Sequence, residues 1–515
     1  MKIILAYISG VSNRNDPYIS LLPTGLCYLH ACLREAGYDS VLANFSGWSD
    51  SRIEQELVKL EPDMVGISQW THNRHASLDL AARCRKLFPK ITIIMGGAHA
   101  TFCFEELLAE DSPVDCVVIG EGEQTLLELA GRMAGQTDWR DINGLAHRRD
   151  GKVHVTAGRS LLVNLDLLPI PARYFAYSIG LDTELQPEFI VTARGCPSAC
   201  HFCSSPAFWG KKVRFRSPEA IVDEIIYIRS QFGLIYFSIR DDTFTADRRR
   251  TLEFCSGLVD RQANILWNCQ SRVTAIDKEL LIMMKRAGCE CIQLGVESGS
   301  PRILRQLGKN IAPAQVEQAC SDIREVGINL SVYLISDVPG ETADDLRQTI
   351  DLVRRIHPDD GYVSPLAYYP GTRLFYDALS AGVVDRGIFN GRMQNALYAA
   401  ANPGRTSARL LKELSNTDGD DPSRFNRQKE LLGYCCTTNI LAGEYYRRNG
   451  DRRSAEAEFL EITARQPENP WGWLLLGELH EETGKKKKSR ECYNRVLEIV
   501  PRHKPSIAAL GALSV

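Results

Sequence analysis

Three cysteines lie close together near the middle of the chain, at Cys196, Cys200 and Cys203. Only 16 of the 515 residues are cysteine, so this Cys-x3-Cys-x2-Cys spacing is rarely met by chance. An iron–sulfur cluster normally takes four thiolates, and these three have no obvious fourth. The triplet therefore indicates a cluster in which one iron is left open to a substrate or cofactor. A zinc site and buried thiols are the alternatives, but zinc ligands usually come as pairs of cysteine or histidine.

The length and charge of the chain exclude several classes of protein. At 515 residues it is too long for one core and should divide into about three domains. A net charge of −3 gives no electrostatic reason to expect nucleic acid or an anionic membrane as a partner. No apolar run approaches the ~20 residues that span a bilayer, and the apolar start is too short for a signal peptide. Together with the scattered cysteines, which suit a reducing compartment, these features predict a cytoplasmic protein.

The first 135 residues alternate short β-branched runs with helical patterns, which is typical of βα units on a parallel sheet. A helix is predicted to begin after Pro23 and to end at Gly37. The predicted strands cover residues 3–8, 40–44, 64–68, 91–95 and 114–119. The pattern predicts an open, Rossmann-like α/β domain over residues 1–135.

Three of these strands end in loops of unusual composition, and ligands bind where such loops begin. The loop residues are Ser68, Gln69, Thr71, Gly96, Gly97, His99, Gly120, Glu121 and Gly122. In this order the loops resemble those of the cobalamin-binding domain of cobalamin-dependent radical S-adenosylmethionine (SAM) enzymes, which implies that these residues contact cobalamin. No Asp-x-His-x-x-Gly motif is present, so the resemblance places His99 near the corrin edge rather than on cobalt. A domain that has lost cobalamin and serves as scaffold is the alternative.

Residues 187–385 repeat a strand-then-helix pattern six times. The strand-like runs begin near residues 189, 235, 265, 292, 330 and 362. One intervening helix has an N-cap at Ser217 and a stop at Gly233, and another begins with the capping pair Thr342 and Asp345. Six units fall short of the eight of a closed barrel. The segment is therefore predicted to form a partial (β/α)6 barrel.

The cysteine triplet, with Phe202 just before its last member, and the six-unit barrel together resemble the radical SAM superfamily. The resemblance implies a [4Fe–4S] cluster on the three cysteines, with SAM chelated to the open iron through its amino and carboxylate groups. It places the SAM contacts at strand ends, on Asp241, Asp242, Arg272, Glu297 and Ser298. Asp337 stands where the family usually has a glycine, so the resemblance does not predict the shape of the SAM site beside this residue.

Four other cysteines carry no comparable signal. Cys289 and Cys291 lie at the start of a predicted strand. Successive side chains of a strand point to opposite faces, so these two, which are two residues apart, should point to the same face. We expect them to be core thiols rather than a second cluster. Cys435 and Cys436 have no partner spacing that indicates a site.

The C-terminal part of the chain repeats itself with a period of 34 residues. Gly443, Gly450, Phe459 and Pro467 recur as Gly477, Gly484, Tyr493 and Pro501. The period and the order resemble the tetratricopeptide repeat, which implies an all-α tail over residues 431–515 and a peptide or protein partner. Residues 136–186 are predicted to be a connector and residues 386–430 a linker. Because the barrel ends before residue 390, the tail is expected to be dispensable for cluster formation and SAM cleavage.

The resemblance over residues 1–385 implies a cobalamin-dependent radical SAM enzyme with an external electron donor of the flavodoxin or ferredoxin type. In that family SAM yields methionine and a 5′-deoxyadenosyl radical, which takes hydrogen from an unactivated carbon, and methylcobalamin then delivers a methyl group. Radical C-methylation is the favoured function. The alternatives are a radical SAM oxidative cyclase, like the anaerobic porphyrin-ring cyclase, and a non-catalytic scaffold that recruits partners through its repeats. The sequence identifies neither the substrate nor a catalytic residue.

Overall fold

The computed structural model describes residues 1–10, 21–390, 397–400, 402–415 and 421–513, which form two compact units. The first unit comprises Met1–Gln186, Arg194–Phe215 and Leu366–Ala401, and the second comprises Pro187–Ala193, Arg216–Pro365 and Asn402–Val515. The cysteine loop therefore belongs to the same unit as the N-terminal sheet. Within the described part of the chain, every helix is too short or too polar to cross a membrane.

The N-terminal sheet has eight strands. They are β1 (Lys2–Tyr7), β2 (Asp39–Asn44), β3 (Met64–Ser68), β4 (Thr92–Gly96), β5 (Cys116–Val118), β6 (Leu145–Arg149), β7 (Lys152–Val155) and β8 (Ser178–Ile179). The sheet order is β7-β6-β5-β4-β3-β1-β2-β8; the β5–β6 and β6–β7 pairs are antiparallel, and the other neighbouring pairs are parallel. All five strands predicted for residues 1–135 are present, which confirms an open α/β architecture.

Helices cover both faces of this sheet, as βα units require. They are α1 (Thr24–Glu35), α2 (Asp50–Leu60), α3 (Arg74–Leu87), α4 (Ala98–Phe102), α5 (Phe104–Leu107) and α6 (Glu123–Ala134). The first helix begins directly after Pro23, and Gly37 follows its end with φ of +84°, as predicted. Ile4, Val65 and Ile93 of the central strands pack with Leu57 of α2 and Leu80 of α3 in one buried cluster.

The segment that we expected to be a connector, residues 136–186, contributes strands to both edges of this sheet. Strands β6 and β7 form a hairpin beside β5, and β8 pairs with β2 at the opposite edge. These strands are short, and only β7 alternates polar and apolar residues, so the sequence predicts a strand-and-loop connector without showing how its strands pair. They close both open edges of the parallel core, which would otherwise expose unpaired backbone groups.

The second sheet has six parallel strands. They are β9 (Phe189–Ile190), β12 (Tyr236–Ile239), β13 (Leu266–Ser271), β14 (Cys289–Glu297), β15 (Asn329–Ser336) and β16 (Asp360–Pro365), and two short strands, β10 (Ala193–Arg194) and β11 (Arg214–Phe215), flank the cysteine loop. The sheet order, β9-β12-β13-β14-β15-β16, follows the order of the chain. This arrangement confirms the partial barrel of six βα units.

Seven helices lie in this region. They are α7 (Ser205–Trp209), α8 (Pro218–Phe232), α9 (Arg248–Asp260), α10 (Lys278–Arg286), α11 (Pro301–Gln306), α12 (Pro313–Val326) and α13 (Ala343–Ile356). The predicted signals are found at both ends of α8 and at the start of α13. The Ser217 hydroxyl accepts a hydrogen bond from Ala220 N at the start of α8, and Gly233 ends that helix with φ of +75°. Thr342 and Asp345 form a reciprocal capping box at the start of α13.

The expectation that Cys289 and Cys291 point the same way is wrong. The register between β13 and β14 shifts after Trp267, so that Trp267 pairs with Cys289 whereas Asn268 pairs with Cys291. Glu290 is the extra residue, and a bulge of this kind breaks the alternation of side chains. Cys289 is fully buried, whereas Cys291 is partly exposed.

The C-terminal part of the chain is helical, which confirms an all-α tail. The helices are α14 (Arg373–Ser380), α15 (Arg405–Ser415), α16 (Ser423–Leu432), α17 (Cys436–Arg448), α18 (Arg452–Arg465), α19 (Pro470–Glu482), α20 (Lys486–Ile499) and α21 (Lys504–Ala512). Two of them, α15 and α16, lie within the expected linker. Residues 391–396, 401 and 416–420 of that linker lie outside the described residues.

The 34-residue period appears as two helix pairs with the same internal packing. A side chain on Gly443 of α17 would lie 2.2 Å from the Phe459 ring of α18, and one on Gly477 of α19 would lie 2.8 Å from the Tyr493 ring of α20. Glycine is therefore required at both positions, because the aromatic ring of the second helix fills the space beside the first.

The tail packs against the barrel, one of the supports that two repeats need, while its dispensability for cluster formation and SAM cleavage stays a prediction. Leu266 of β13 shares a hydrophobic cluster with Phe459 and Leu476, and Ile235 shares another with Leu474 and Val496. Cys435 contributes to the same contact, since its thiol donates to the Lys285 carbonyl at 3.8 Å. Removing residues 437–515 would expose the apolar starts of β12 and β13 to water.

We predict that Gly233→Ala destabilises the contact between the barrel and the tail. Gly233 has a positive φ, and a Cβ atom there would lie 2.1 Å from the Arg502 carbonyl oxygen. The backbone conformation alone costs about 1–2 kcal/mol in an L-residue, and the clash should add about 1–3 kcal/mol. Urea denaturation gives the total, and amide hydrogen exchange in α21 reports on the contact itself.

The control is Gly37→Ala. Gly37 also follows a helix with a positive φ, but a side chain there would meet no atom within 4 Å. It should show only the cost of the backbone conformation. Equal loss of stability in the two variants, with α21 equally protected from exchange, would show that Gly233 is not tightly packed against Arg502.

Candidate functional site

The cysteine loop begins at a residue that must be glycine. Gly195 has φ of +106°, and a Cβ atom on it would lie 2.9 Å from the Lys212 carbonyl oxygen. Cys196 is buried, whereas Cys200 and Cys203 are partly exposed. Cys203 N donates to the Cys200 carbonyl at 3.3 Å. One buried and two partly exposed thiols thus line a single loop.

The donor set of this loop fits an iron–sulfur cluster in its chemistry. All 16 cysteines are outside disulfides, so each of the three can act as a thiolate ligand. In the described residues, no three cysteine, histidine, aspartate or glutamate side chains are gathered closely enough to hold a metal ion.

A buried group of four charged side chains holds both ends of the cysteine loop. Arg194 donates from Nη1 to Glu121 Oε1 at 3.0 Å and from Nη2 to Glu123 Oε1 at 2.6 Å. Arg214, at the far end of the loop, lies 2.7 Å from Glu121 Oε1 through its Nη1. All four side chains are 8% exposed or less. We call Glu121, Glu123, Arg194 and Arg214 the ion quartet.

The two carboxylates of the ion quartet stabilise the charged form of Arg194. Burial by itself would lower the pKa of Arg194, but Glu123 and Glu121 raise the pKa above its ordinary value. Arg194 therefore remains protonated at any physiological pH. Glu121, which is predicted to contact cobalamin, pairs with two arginines and accepts a hydrogen bond from Leu162 N at 2.9 Å. The sequence held one clue to this arrangement, since an arginine directly precedes the glycine and cysteine of the loop.

Asp241, one of the expected SAM contacts, lies buried against the backbone. It accepts hydrogen bonds from Thr192 N at 2.6 Å and from Ala193 N at 2.9 Å, and it also accepts one from the Thr192 hydroxyl. Burial raises the pKa of Asp241, while Arg250 and these hydrogen bonds oppose the rise. Both of its oxygens accept from protein donors, so Asp241 braces the backbone at Thr192 and Ala193, and its contact with SAM stays a prediction. Sequence reasoning missed Thr192 and Arg250.

The other expected SAM contacts follow the second, third and fourth strands of the barrel. Asp242 is exposed after β12, and Arg272 is partly buried after β13. Glu297 ends β14 with φ of +66°, and its Oε1 accepts from Lys309 Nζ at 2.7 Å. Ser298 Oγ lies 3.0 Å from Thr349 Oγ1. The carboxyl ends of parallel strands meet at one edge, so the sheet brings these residues to a common edge.

Asp337, which replaces the usual glycine, caps a helix. Its carboxylate accepts from Gly404 N at 3.0 Å and from the Thr406 hydroxyl at 2.7 Å, at the start of α15. Burial would raise the pKa of Asp337, but these hydrogen bonds lower it overall. The Asp337 side chain therefore has a structural role. Its backbone has a positive φ of +55°, a conformation that favours glycine.

The three loops expected to contact cobalamin are hydrogen-bonded to one another. Gln69 N donates to the Gly96 carbonyl at 2.7 Å, and His99 N donates to the Gln69 carbonyl at 3.2 Å. Gly120 N donates to Thr101 Oγ1 at 3.0 Å. Ser68, Thr71, Gly97 and Gly122 lie in the same loops. The structure thus brings the ends of β3, β4 and β5 together at one edge of the first sheet.

His99 is buried and neutral. Burial, together with the nearby positive charges of Arg74 and His75, lowers the pKa of His99 to about 3. Its Nδ1 lies 3.1 Å from Thr71 Oγ1, and its ring meets the Phe389 ring edge-on at 5.4 Å. These contacts fix the imidazole among the loops.

Two features of these loops fit a large, amide-rich ligand such as cobalamin. Gln69 Oε1 is buried and accepts no hydrogen bond in the described residues, although Gln69 Nε2 donates to Ser77 Oγ at 3.0 Å. An unsatisfied buried acceptor is costly and suits a ligand that brings a donor. Gly120 has φ of +73° and no atom within 4 Å of the place where its side chain would be. A ligand could therefore approach the backbone at the end of β5.

Two protein families match the chain in the order of these sites. Residues 18–130 match the B12 binding domain, and residues 190–353 match the radical SAM superfamily. An uncharacterised methyltransferase of Pyrococcus horikoshii is 31% identical over 360 residues, which cover 70% of this chain and 78% of that protein. The anaerobic magnesium-protoporphyrin IX monomethyl ester cyclase of Rubrivivax gelatinosus is 29% identical over 368 residues, 69% of this chain and 66% of the cyclase. Hopanoid C-3 methylase of Methylococcus capsulatus is 26% identical over 369 residues, 70% and 69% of the two chains.

Solved structures share the fold. The radical SAM methyltransferase TsrM from Kitasatospora setae, with cobalamin and a [4Fe–4S] cluster bound, aligns with a TM-score of 0.61 at 17% identity, over 79% of this chain and 84% of that one. The cobalamin-dependent SAM radical enzyme OxsB, with aqua-cobalamin and SAM bound, aligns with a TM-score of 0.57 at 16% identity, over 99% of this chain and 80% of that one.

We predict that Glu121→Gln loosens the cysteine loop. The change leaves two buried arginines with one carboxylate, and an uncompensated buried charge costs about 3–5 kcal/mol. Both the melting temperature and the iron retained after anaerobic reconstitution should fall. Glu128→Gln is the control, because Glu128 pairs with Arg159 at 2.5 Å but is 41% exposed, and an exposed pair contributes about 0–1 kcal/mol. Wild-type stability and iron content in Glu121→Gln would show that the ion quartet does not hold the loop.

A second prediction concerns the axial ligand of bound cobalamin. Because His99 is held among the loops by Thr71 and Phe389, the Co(II) form should show no superhyperfine splitting from a protein nitrogen in its electron paramagnetic resonance spectrum. Splitting that disappears in His99→Gln would identify His99 as a ligand instead.

Proposed function

The chain belongs to the cobalamin-binding radical SAM enzymes, and we propose that it methylates an unactivated carbon of its substrate. The family is given by its two domains and by its relatives. Its cofactors are cobalamin, a [4Fe–4S] cluster and SAM. When bound, they supply a radical that removes hydrogen from the substrate and a methyl group that takes its place.

One observation carries this proposal. The loop with Cys196, Cys200 and Cys203 and the loops at the ends of β3, β4 and β5 belong to one compact unit. They are joined directly, because Arg194 of the cysteine loop is ion-paired with Glu121 and Glu123 after β5. C-methylation of this kind needs radical chemistry and methyl transfer close together, and this connection supports that requirement.

Each group of residues has a defined part in this proposal. Cys196, Cys200 and Cys203 would hold the cluster. Gln69 would offer its unpartnered oxygen to a cobalamin amide, and Gly120 would let the ligand approach the backbone. The ion quartet would act as a set of positioning residues for the cysteine loop. Asp242, Arg272, Glu297 and Ser298 would contact SAM, and Asp241 would brace the backbone near them.

Radical SAM enzymes need electrons from outside the chain. We propose a flavodoxin or ferredoxin as the donor and the cytoplasm as the compartment, which is supported by 16 cysteines that form no disulfide. We also propose that the helix pairs α17–α18 and α19–α20 receive a peptide or a substrate carried by a protein. Comparing turnover of a free substrate with that of the same substrate on a carrier would test this role.

The proposed function is tested with SAM that carries a trideuteromethyl group. The anaerobically reconstituted protein, loaded with hydroxocobalamin and reduced, should form trideuteromethylcobalamin, seen in its visible spectrum and by mass spectrometry. The protein in which Cys196, Cys200 and Cys203 are all alanine should still bind cobalamin but should lack the iron–sulfur absorbance and cleave no SAM. Failure of the wild-type protein to form labelled methylcobalamin would contradict the methyltransferase proposal.

An oxidative cyclase is the second candidate, because one relative is an anaerobic cyclase at 29% identity. A cyclase would consume SAM without moving its methyl group. The same labelled SAM would then appear only in methionine, and the product would gain no trideuteromethyl group. The third reading, a non-catalytic scaffold, would show neither label transfer nor SAM cleavage.

A further inference from the structure

The barrel sheet has one apolar face and one polar face. Side chains of the first face are almost completely buried; they are Phe237, Ile239, Trp267, Cys269, Ile292, Leu294, Leu330, Val332 and Leu334. The side chains that alternate with them are mostly polar; the polar ones are Tyr236, Ser238, Asn268, Gln270, Gln293, Asn329, Ser331, Tyr333, Tyr362 and Ser364. The strand registers place two buried apolar side chains, Leu266 and Ile335, on the same face. In a closed eight-stranded barrel, the inner face is filled by branched apolar side chains. This face differs from such an interior in its polar content.

Hydrogen bonds show that these polar side chains share one face. The Tyr236 hydroxyl donates to Glu290 Oε1 at 2.7 Å and accepts from Asn268 Nδ2 at 2.7 Å. Farther along, the Tyr333 hydroxyl donates to Gln293 Oε1 at 3.0 Å. The contacts join neighbouring strands, so the polar groups are held in fixed positions before any ligand binds. Such preorganisation favours recognition of a polar molecule.

One group on this face lacks a partner. Ser331 lies between Asn329 and Tyr333 in the alternation of β15 and is 1% exposed. Its Oγ is buried without a hydrogen-bond partner in the part of the chain that is described. A buried hydroxyl of this kind is costly to leave unpaired, which indicates that this face is completed by a ligand or by water.

Two stacked tyrosines give the face a flat aromatic surface. The rings of Tyr333 and Tyr362 lie 5.3 Å apart with an interplanar angle of 18°. Tyr362 is on β16, the edge strand, and is 54% exposed. An exposed ring that is already held by a second ring is a surface on which a planar group can stack.

Arg240 supplies a positive charge on the same side. It directly follows β12 in alternation with Tyr236 and Ser238, and its guanidinium lies 4.8 Å from the centre of the Phe189 ring. Burial raises the pKa of Tyr333; the positive charge of Arg240 opposes that rise, whereas Tyr362, Cys291 and Asp360 add to it. Tyr333 therefore lies near both the Arg240 guanidinium and the Asp360 carboxylate. Within the described residues Arg240 forms no salt bridge. Glu188 also feels its charge, but burial raises the pKa of Glu188 to about 7, so this carboxylate is only partly ionised at neutral pH.

We infer that the substrate is a polar molecule with a planar ring and a negatively charged group, bound on this face by Tyr362, Gln293 and Arg240. The inference rests on the proposed function, since it assigns the substrate class of the same enzyme. The ring stacks on Tyr362, the anionic group pairs with Arg240, and the amide of Gln293 binds polar groups between them. An apolar polycyclic lipid would leave all three groups unsatisfied.

Equilibrium dialysis with three small probes tests this assignment on the cobalamin- and cluster-loaded protein. Nicotinate is planar and anionic, nicotinamide is planar and neutral, and cyclohexanecarboxylate is anionic but not planar. Nicotinate should bind more tightly than either matched compound. Arg240→Met and Tyr362→Leu should each weaken its binding by about tenfold, as expected for losing a charge-assisted contact or a stacked ring.

The control variant is Arg249→Met, because Arg249 pairs with Glu253 on the surface and is 89% exposed. It should bind nicotinate like the wild type. The inference is overturned if nicotinate does not bind, if either matched compound binds as tightly, or if Arg240→Met and Tyr362→Leu bind it unchanged. Transfer of the methyl group from SAM to cobalamin needs no substrate, so that measurement separates failure of this inference from failure of the proposed function.

Discussion

The ion quartet of Arg194, Arg214, Glu121 and Glu123 is the interaction on which the first unit depends. Two positive and two negative side chains lie out of contact with water, with oxygen and nitrogen atoms 2.6 to 3.0 Å apart. Such a group is stable only when complete, because each charge left alone in a buried site costs several kcal/mol. The cysteine loop lies between the two arginines in the chain. Loss of any one member of the ion quartet would therefore release the cysteine loop from the end of β5.

Carboxylates near the expected cofactor sites mostly serve the backbone and the ion pairs around them. Asp241 accepts from Thr192 N and Ala193 N, Asp337 caps α15, and Glu121 joins two arginines. Each satisfies several donors at once, which a ligand contact would not require. Asp242 differs, since it is exposed at the end of β12. The acidic residues at these strand ends thus differ in exposure, since Asp241 and Asp337 are buried and brace the backbone whereas Asp242 faces solvent.

Most of the architecture could be predicted from the sequence, because it follows from local periodicity. The five strands of the first domain and the six of the barrel alternate with helices whose caps, such as Ser217 and Gly233, are visible in the sequence. Features set by long-range contacts could not be predicted. Strand β8 has two residues and is defined only by its pairing with β2, and the bulge at Glu290 appears only in the register with β13. The roles of Glu121 and Asp241 depend on partners more than 45 residues away.

The seating of the helical tail on the barrel also limits how this chain can vary in length. In free-standing arrays each repeat touches only its neighbours, so repeats can be gained or lost during evolution with little disturbance to the rest. Here the chain is attached to the barrel before the first helix pair through Cys435, between the pairs through Glu468, and after the second through Arg502. Inserting one more 34-residue unit between these points would carry Arg502 away from Gly233. The number of repeats between Cys435 and Arg502 is therefore fixed by the barrel, and growth of the array is possible only beyond its last helix.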